Sequence, residues 1–582
     1  MSDAVIVIPA EKPIITEECF GALLLATILR ENGMDVSIYR YYEASRENGF
    51  FDFVEQTSKN ILAKNPKIVS FYCRCDYYLT DLQVSRRIKE LAPDVCIVMG
   101  GPQADVTARE TITEIPWVDY CCCGEGEKTI FPLFSGIING SDVTHIDGLT
   151  YRDSQGQVVL NPRPALCNDL DNAPFIDYSF VPESTMKEAV ESGRYITTPV
   201  GRGCPFNCAY CSTSVFWKRK FRVKSAERIV QEMRRLNSQY GITRFSLDHD
   251  LFTANKERLL NFCRVLKESG LDVKWRCSTR VDTIDEEMLD AMIDAGLAGV
   301  YSGIESGSPR VQNLIHKKLK PQDMIRVTRM LADNNIDMTA SFMYGFPEEM
   351  EEDVEHTMRV VYEMMKIGVQ EFQFHLCTIM PATEYYQVYR DRLKFGAYTS
   401  DQVCDFGVEE CHQFITEHQK VFPFYYEYHS ELRDKLYGFD NYLLLCLELY
   451  HTVKDLDPDR FGDMRLVDLF FEFRDVNIDY VERIKSQHDA VVHKFELFSN
   501  YLNKIYSQQD AEKILNVFQY LTDLKRLSVL DNPESDVKVY SVSVKDFIGG
   551  KTLREIRDVP SMVTFYVEDG NITVSARDYK TM

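Results

Sequence analysis

The sequence predicts an α/β protein with two parallel β-sheets followed by a mostly helical segment. Short β-rich runs alternate with amphipathic helical stretches over residues 1–145 and again over residues 195–385, which is the pattern of parallel sheets. Beyond residue 430 the apolar residues recur at helical spacing, and a short β-rich end follows. The chain of 582 residues is long enough for about three or four domains.

The first series predicts a flavodoxin-like, doubly wound domain over residues 1–145. Strands that alternate with helices form a parallel sheet covered on both faces, and such sheets bind ligands at the carboxyl ends of their strands. Glycine-rich turns follow the fourth and fifth runs, where glycine lets the backbone approach a bulky ligand closely. The five runs are 4–9, 35–39, 67–72, 95–99 and 118–122, and the two turns are Gly100-Gly101-Pro102-Gln103 and Gly124-Glu125-Gly126-Glu127.

A connection precedes the second series. Residues 147–160 contain two β-like runs around a glycine turn, which predicts a hairpin. Prolines then punctuate an extended stretch. We therefore expect a hairpin and a linker over residues 146–194.

The second series predicts a partial (β/α)6 barrel over residues 195–385, because six β-rich runs alternate with helical patterns. In barrels of this kind the active site gathers at the carboxyl ends of the strands. The runs are 195–200, 243–247, 273–277, 298–303, 337–343 and 371–377.

A cysteine loop follows the first strand of this predicted barrel. Residues 201–211 read Gly-Arg-Gly-Cys-Pro-Phe-Asn-Cys-Ala-Tyr-Cys and place Cys204, Cys208 and Cys211 at C-x3-C-x2-C spacing. Three thiolates this close can hold three irons of a four-iron, four-sulfur cluster and leave the fourth iron open. A structural zinc site is the alternative, but it normally needs four closed ligands, and the chain offers no fourth cysteine at matching spacing.

The cysteine loop and the glycine turns together resemble the cobalamin-binding radical S-adenosylmethionine (SAM) enzymes, over about residues 1–425. In that family SAM chelates the open iron, and its reductive cleavage yields a 5′-deoxyadenosyl radical. The resemblance implies three cofactors, namely a [4Fe-4S] cluster on Cys204, Cys208 and Cys211, SAM, and cobalamin. It also implies an external electron donor of the flavodoxin or ferredoxin type and a methyltransferase that acts on an unactivated carbon.

The resemblance also assigns cofactor contacts. Those expected at cobalamin are Arg74, Cys75, Tyr77, Gly100, Gly101, Pro102, Gln103, Gly124, Glu125 and Gly126; those expected at SAM are Ser278, Arg280, Glu305, Ser306 and Gly345. The chain departs from the family at Glu348, which replaces a glycine of the Gly-Phe-Pro-Gly segment. Residues 1–144 lack histidine, so no local imidazole can bind cobalt from below. Arg74 or an aromatic side chain there would leave the lower face of the corrin without a ligand atom, or with water.

The strongest candidates for catalytic residues follow the second barrel strand. His249 lies between Asp248 and Asp250, which could poise it as a general base, so His249 and Asp250 are the predicted catalytic residues. The alternative is that His249 only hydrogen-bonds within the barrel mouth.

The amino-acid composition restricts the classes of partner that the protein can bind. The net charge of −23 argues against non-specific binding of nucleic acid or anionic membranes, since both favour basic surfaces. No apolar run approaches the roughly 18–20 residues that span a bilayer. The 17 cysteines show no disulfide pattern, which favours a reducing, cytoplasmic location. The substrate is expected to be a small molecule or a peptide.

Three alternatives stay open at this point. Such an enzyme can use cobalamin for a rearrangement, cyclisation or oxidation without methyl transfer. The first domain can have lost cobalamin, or the chain can be a corrinoid-binding protein without catalysis. Residues 386–582 carry no recognised motif and are expected to form a helical domain with a β-rich end, serving as a lid, a substrate-recruiting domain or a structural cap.

Overall fold

The computed structural model describes residues 2–369, 371–396, 406–480, 487–528, 536–540, 561–568 and 571–578, together with residues 544, 548, 553 and 556. The chain forms two compact units. The first comprises Met1–Glu348 and Met364–Ser430, and the second comprises Glu349–Glu363 and Glu431–Met582.

A seven-stranded sheet forms the beginning of the first unit. The strands β1–β7 are Ala4–Ile8, Val36–Arg40, Ile68–Tyr72, Cys96–Gly100, Tyr120–Cys122, Leu149–Arg152 and Val158–Leu160. Their order is β2-β1-β3-β4-β5-β6-β7, and the first five strands are parallel. This order confirms the predicted flavodoxin-like fold. The hairpin β6–β7 extends the sheet, because β6 pairs antiparallel with β5.

The helices of this domain cover apolar strands, of which β1 is buried along its whole length. Helices α1–α5 are Phe20–Glu31, Phe50–Leu62, Tyr78–Leu91, Pro102–Glu114 and Ile130–Asn139. A later segment completes the same core, since Phe406 packs edge-on against Phe50 and Phe422 packs against Tyr78. The segment after the barrel therefore packs against the first domain. The sequence analysis assigned residues from 386 onward to a C-terminal domain, and that boundary stays a prediction.

The second sheet has six parallel strands and confirms the predicted partial barrel. Its order is β15-β14-β13-β12-β11-β8, and a two-stranded hairpin, β9–β10, follows β8. Strands β8–β15 are Ile196–Pro199, Gly201–Arg202, Arg222–Val223, Arg244–Asp248, Lys274–Thr279, Leu297–Glu305, Asp337–Tyr344 and Glu371–Leu376. Helices α6–α13 are Glu183–Glu191, Thr213–Phe216, Ala226–Tyr240, Lys256–Glu268, Glu286–Asp294, Pro309–Leu314, Pro321–Asp333 and Glu351–Ile367.

The two faces of the barrel sheet differ in polarity. Apolar side chains such as Phe245, Leu247 and Trp275 are buried. The alternate positions on these strands are mostly polar and keep solvent access, for example Ser246 and Arg276. Because alternate residues point to opposite faces, one face is a packed core and the other is an open, polar surface.

The rest of the chain is helical with a short β-rich end, as predicted. In the first unit, β16 (Leu393–Phe395) pairs with β17 (Tyr426–Tyr428), beside α14 (Glu384–Tyr389) and α15 (His412–Glu417). In the second unit, helices α16–α22 are Glu431–Lys435, Phe439–Leu456, Pro458–Phe461, Leu466–Val476, Gln487–Val492, Lys494–Ile505 and Gln508–Ser528. Strands β18–β20, Asp536–Tyr540, Ser561–Glu568 and Asn571–Asp578, form an antiparallel sheet. None of the described helices combines the length and apolar character that a bilayer crossing requires.

Candidate active site

The cysteine loop is closed at its base by the hairpin β9–β10. Arg202 pairs with Arg222 across this hairpin, so the three cysteines lie on the loop between them. Gly203, next to Cys204, has φ +91°, and a Cβ there would collide with the carbonyl group of Lys220. Only glycine therefore fits the turn that leads into the loop.

The surroundings of the thiols fit an anionic cluster. Burial raises the pKa of the Cys208 thiol to about 11, while the nearby cations Lys317 and Arg280 lower it. Metal binding deprotonates such thiols, and the two cations compensate the resulting charge. The loop thus suits a cluster, in which each thiolate binds its own iron.

Asp250 holds this loop in place. One carboxylate oxygen accepts a hydrogen bond from the backbone N–H of Gly203 at 2.5 Å. The other accepts one from the hydroxyl group of Thr213 at 3.2 Å. Asp250 therefore hydrogen-bonds to Gly203, which precedes Cys204, and to Thr213 of helix α7, which follows Cys211. The predicted role of Asp250 in proton transfer stays a prediction, and this geometry favours a role in positioning.

His249 is buried and uses both ring nitrogens on the backbone. Its Nδ1 accepts a hydrogen bond from the N–H of Leu251 at 2.9 Å, so Nε2 carries the proton and donates to the carbonyl of Arg222 at 3.1 Å. Burial lowers the pKa of His249 to about 4, against the opposing effect of Asp250. The histidine is neutral near pH 7, and the geometry favours the alternative that it only hydrogen-bonds within the barrel mouth.

Asp248 is the member of the Asp-His-Asp triplet that faces the open side of the barrel, a placement that the sequence did not single out. Its side chain keeps solvent access, and none of the described residues hydrogen-bonds its carboxylate. Burial among the surrounding elements and the charge of Asp250 raise the pKa of Asp248 to about 6, against the effect of Arg202. Tyr72, at the carboxyl end of β3, lies within electrostatic range of Asp248.

Glu305, a predicted SAM contact, lies in a strained turn at the end of β13, and its contact with SAM stays a prediction. Its φ is +66°, and the strand pairing shifts between Gly303 and Glu305. The carboxylate accepts hydrogen bonds from the Tyr210 hydroxyl at 2.9 Å and from Lys317 Nζ at 2.7 Å. A non-glycine residue in this region costs about 1–3 kcal/mol, and such strain clusters at functional sites.

Arg280 lies against the cysteine loop and has one hydrogen-bond donor without a partner among the described residues. Nε and Nη2 bond the carboxylate of Asp282 at 2.9 and 2.8 Å, and Nη2 also bonds the carbonyl of Lys317 at 2.8 Å. The guanidinium lies 3.8 Å from the ring centroid of Phe206 and within electrostatic range of Cys204. Its Nη1 is buried and has no partner among the described residues. A buried, unpaired guanidinium N–H suits the SAM carboxylate.

The remaining predicted SAM contacts lie at the same edge of the barrel sheet. Ser278 is half-buried on the open face of β12, and Gly345 has φ +73° immediately after β14. Ser306 is fully buried, and its hydroxyl accepts a hydrogen bond from the N–H of Ser308 at 3.1 Å. Whether these three residues touch SAM stays a prediction.

Lys317 is a site residue that the sequence did not reveal. It joins Glu305 through Nζ and Arg280 through its carbonyl, and its side chain is only 7% exposed. In the sequence it belongs to the basic stretch His316-Lys317-Lys318, a pattern typical of a solvated surface. His316 and Lys318 both have positive φ, so the backbone turns sharply on each side and directs Lys317 inward.

The ends of β3 and β4 form one compact edge where cobalamin was predicted. The N–H of Cys73 donates to the carbonyl of Gly100 at 2.7 Å, and the N–H of Gln103 donates to the carbonyl of Cys73 at 3.1 Å. Gly101 has φ +89°, and a Cβ there would lie 2.9 Å from the Cys73 oxygen. Gln103 is buried, yet its Oε1 has no partner among the described residues. An unpaired acceptor at this edge fits the amide N–H groups that surround a corrin ring.

The loop after β3 presents no imidazole. Arg74 forms an ion pair with Asp76, and the Tyr77 hydroxyl donates to Glu11. Burial raises the pKa of the Cys75 thiol to about 12. Cys75 is therefore protonated near pH 7 in the metal-free protein, and the charge of Asp76 opposes its thiolate, whereas Lys317 and Arg280 favour the thiolate of Cys208. That these residues touch cobalamin stays a prediction, as it does for Pro102, the first residue of α4.

Glu125 contacts the barrel. Its carboxylate accepts hydrogen bonds from Arg202 at 2.5 Å, from Arg222 at 2.8 Å and from the N–H of Cys167 at 2.5 Å. Burial alone would raise the pKa of Glu125, but these donors lower it. Glu127 adds a second carboxylate to Arg202 at 2.5 Å. The loop that contains Gly124, Glu125 and Gly126 thus connects the first sheet to the base of the cysteine loop.

Comparisons with known proteins agree with this architecture. The Radical SAM superfamily matches residues 198–361, and the B12 binding domain matches residues 17–131. The uncharacterized methyltransferase PH0819 of Pyrococcus horikoshii is 32% identical over 368 residues, which cover 63% of this chain and 77% of that protein. The anaerobic magnesium-protoporphyrin IX monomethyl ester cyclase of Rubrivivax gelatinosus is 29% identical over 277 residues, 47% of this chain and 50% of that protein.

A solved structure shares the fold. The cobalamin-dependent SAM radical enzyme OxsB, with aqua-cobalamin and SAM bound, gives a TM-score of 0.56 at 14% identity over 90% of this chain and 80% of that one. The cofactors of the present chain are accordingly a [4Fe-4S] cluster, SAM and cobalamin. With its B12-binding sheet bonded to the base of its cysteine loop, the chain belongs to the cobalamin-dependent radical SAM enzymes.

Proposed function

We propose that this enzyme transfers a methyl group from cobalamin to an unactivated carbon of a small-molecule or peptide substrate. When bound, the cluster and SAM supply a 5′-deoxyadenosyl radical, and cobalamin supplies the methyl group. One observation carries the proposal: Glu125, at the carboxyl end of the first sheet, bonds Arg202 at 2.5 Å, two residues before Cys204. The ligand-binding edge of the first sheet therefore meets the radical-generating loop.

The open face of the barrel supplies room for the substrate. Closed barrels fill their interior with branched apolar side chains. Here the open face carries polar side chains with partial solvent access, and Tyr301 is 38% exposed. The polar members of this face are Thr197, Ser246, Arg276, Ser278, Thr339, Gln373 and His375. This lining favours a substrate rich in hydrogen-bonding groups.

The protein's part in the reaction is alignment. Arg280 has a free N–H for the SAM carboxylate, and Glu305 is an acceptor for the SAM amino or ribose groups. Asp248 faces the open interior close to Tyr72 of the first domain, which places it to orient a substrate N–H or O–H. Holding reacting groups in register in this way is a major source of rate acceleration.

The proposal includes an external electron donor of the flavodoxin or ferredoxin type. It also includes a cytoplasmic location, because the cysteines among the described residues are free, as in a reducing compartment.

A product analysis tests methyl transfer. Anaerobically reconstituted enzyme with SAM, reductant and its substrate should form 5′-deoxyadenosine and S-adenosylhomocysteine together with a methylated product. Cys208→Ala should form no 5′-deoxyadenosine. If the wild type formed 5′-deoxyadenosine but no S-adenosylhomocysteine, methyl transfer would be wrong, and a cyclisation like that of the relative from Rubrivivax would be favoured instead. If Cys208→Ala still formed 5′-deoxyadenosine, the assignment of the cluster loop would fail.

A further inference from the structure

We infer that Lys218, Arg219 and Lys220, here named the basic tip, form the docking surface for an acidic one-electron carrier protein that reduces the cluster. The inference deepens the proposed function and rests on it, since it locates the entry point of the electron. It concerns the segment between helix α7 and strand β10, whose residues are not assigned to SAM or cobalamin.

The basic tip is fixed next to a cluster ligand. Arg219 Nε donates to the carbonyl of Pro205 at 3.2 Å, and Pro205 directly follows Cys204. The carbonyl of Lys220 borders Gly203 so closely that no side chain would fit there. The basic tip therefore touches the cysteine loop on both sides of Cys204, which gives a docked carrier a short path to the cluster.

The backbone directs these cations outward at a cost. Lys218 and Arg219 have φ values of 51° and 58°, and consecutive non-glycine residues in the left-handed region are unfavourable. Glycine or asparagine would adopt this turn more easily. The hairpin behind the basic tip is held by the ion pairs of Arg202 and Arg222 with Glu125, which keep the turn in place.

The basic tip carries positive charge on a chain whose net charge is strongly negative. All three side chains are exposed, and within the described ranges none of them forms an ion pair. The chain as a whole carries a net charge of −23, so an acidic protein is repelled from most of its surface. A local group of unpaired cations beside the cluster then selects the productive orientation and raises the association rate.

The small size of the basic tip also fits an electron carrier. Encounters between redox proteins are transient and bury less area than stable complexes. The transfer moves one electron and no atoms: a flavin carrier goes from hydroquinone to semiquinone, and the cluster goes from the 2+ to the 1+ state. An anionic substrate or a leader peptide is the rival occupant, which the experiment below distinguishes.

The test compares two reductants on the cluster-loaded enzyme. In Lys218→Glu/Lys220→Glu two charges are reversed, while Arg219 is kept because its side chain bonds Pro205. The control Lys187→Glu/Lys267→Glu makes the same charge change at two lysines that are 72% and 62% exposed elsewhere on the first unit. The reductants are a purified flavodoxin hydroquinone and photoreduced 5-deazariboflavin, a small reductant without an acidic protein surface.

Two readouts are measured at low and high ionic strength. The first is the rate at which the visible absorbance of the cluster bleaches, and the second is the affinity for oxidised flavodoxin from flavin fluorescence anisotropy. The variant should be reduced by flavodoxin at least about 10-fold more slowly than the wild type at low salt, with weaker binding. Salt should shrink this difference. Reduction by deazariboflavin should be unchanged, and the control should behave like the wild type.

Other results would overturn the inference. A flavodoxin rate equal to that of the wild type would exclude docking at the basic tip, and so would an equal slowing in the control. Slowing with both reductants would mean that the substitutions damage the cluster. A normal flavodoxin rate combined with a raised KM for the substrate would favour the rival occupant. If deazariboflavin failed to reduce the wild-type cluster, the radical chemistry itself would fail, which is a separate outcome.

Discussion

Glu125 and Arg222 form a buried ion pair between the two sheets of the first unit, with Oε1 of Glu125 2.8 Å from Nη1 of Arg222. Glu125 follows β5, and Arg222 begins the strand that closes the cysteine loop. The pair therefore makes the position of the cluster depend on the domain that binds cobalamin. The other two nitrogens of the Arg222 guanidinium, Nε and Nη2, are buried and have no hydrogen-bond partner among the described residues.

Glu125→Gln should destabilise the first unit and lower its iron content. Removing one partner of a buried ion pair costs about 3–5 kcal/mol, because the remaining charge stays buried. Thermal unfolding and iron analysis after anaerobic reconstitution measure the effect. Glu90→Gln is the matched control, since Glu90 is 46% exposed and pairs with Arg86 and Arg87 of its own helix, and its loss should change stability by about 0.5 kcal/mol or less. Equal stability and iron content for both variants would contradict a structural role of the pair.

Asp250→Ala should release the cysteine loop, whereas Asp250→Asn should keep it largely in place. The alanine leaves the N–H of Gly203 and the hydroxyl of Thr213 without an acceptor, while the asparagine oxygen can still serve one of them. Loss of a charge-assisted hydrogen bond costs about 1.5–3 kcal/mol. Iron content and the rate of iron loss to a chelator measure the change. If the asparagine variant kept its full cluster but lost all 5′-deoxyadenosine formation, Asp250 would have a direct catalytic role instead.

The pKa of His249 predicts a pH dependence of stability. Burial lowers the pKa from 6.5 to about 4, so between these values the unfolded chain binds a proton that the folded chain does not. The contribution of neutral His249 to the free energy of unfolding is therefore complete above pH 6.5, and it is lost as the pH falls toward 4. In His249→Gln this part of the melting-temperature profile should flatten. The pH profile of 5′-deoxyadenosine formation above pH 6.5 should keep its inflections, and the disappearance of one would show that His249 acts as a general base.

The sequence was sufficient for features that depend on local spacing. The C-x3-C-x2-C motif located Cys204, Cys208 and Cys211, and the alternation of strands with helices predicted both sheets and their ligand-binding edges. Glu305 was singled out through its glycine-flanked motif, where the structure shows a backbone turn at φ +66°, and its contact with SAM stays a prediction. In each of these cases the prediction depends on residues that are close together in the sequence.

Features that depend on distant residues were not predictable. Glu125 meets Arg222 across 97 positions of the chain, so its glycine-rich loop gave no indication of the ion pair, and the predicted cobalamin contact of Glu125 stays a prediction. Lys317 contacts Glu305 because the backbone turns sharply at His316 and Lys318 on either side of it. The basic stretch His316-Lys317-Lys318 alone would indicate a solvated surface. The roles within the Asp-His-Asp triplet depend on which way each side chain points, and that follows from packing around β11.

Cys75→Ala should leave the absorbance spectrum of bound cobalamin unchanged. A thiolate on cobalt would alter the spectrum, but burial and the charge of Asp76 raise the pKa of Cys75 to about 12, and the Asp76 charge opposes a thiolate at this position. Hydroxocobalamin bound to the wild type and to the variant is compared at pH 7 and pH 9. Cys167→Ala, at a half-buried cysteine of the linker, controls for general effects of the substitution. A spectrum that differs between wild type and Cys75→Ala would show that Cys75 binds cobalt.

Glu305→Gln should weaken SAM binding while leaving the cluster in place. The carboxylate is held by Tyr210 and Lys317, and the glutamine amide can occupy the same space without the negative charge. A charge-assisted hydrogen bond to the SAM amino group is worth about 1.5–3 kcal/mol, so the Kd for SAM should rise roughly 10-fold to 150-fold. Equilibrium dialysis of SAM with the cluster-loaded protein measures the Kd, and iron analysis verifies the loading.

The matched control for this prediction is Glu268→Gln, at a side chain that is 62% exposed on the barrel helix α9. It should bind SAM like the wild type. Lys317→Met provides an independent check, because it removes the cation that orients Glu305 and leaves the carboxylate without its 2.7 Å partner. If Glu305 acts on SAM through its fixed orientation, Lys317→Met should weaken binding as well. Unchanged SAM affinity in Glu305→Gln with a full cluster would assign the strained turn at the end of β13 to folding alone.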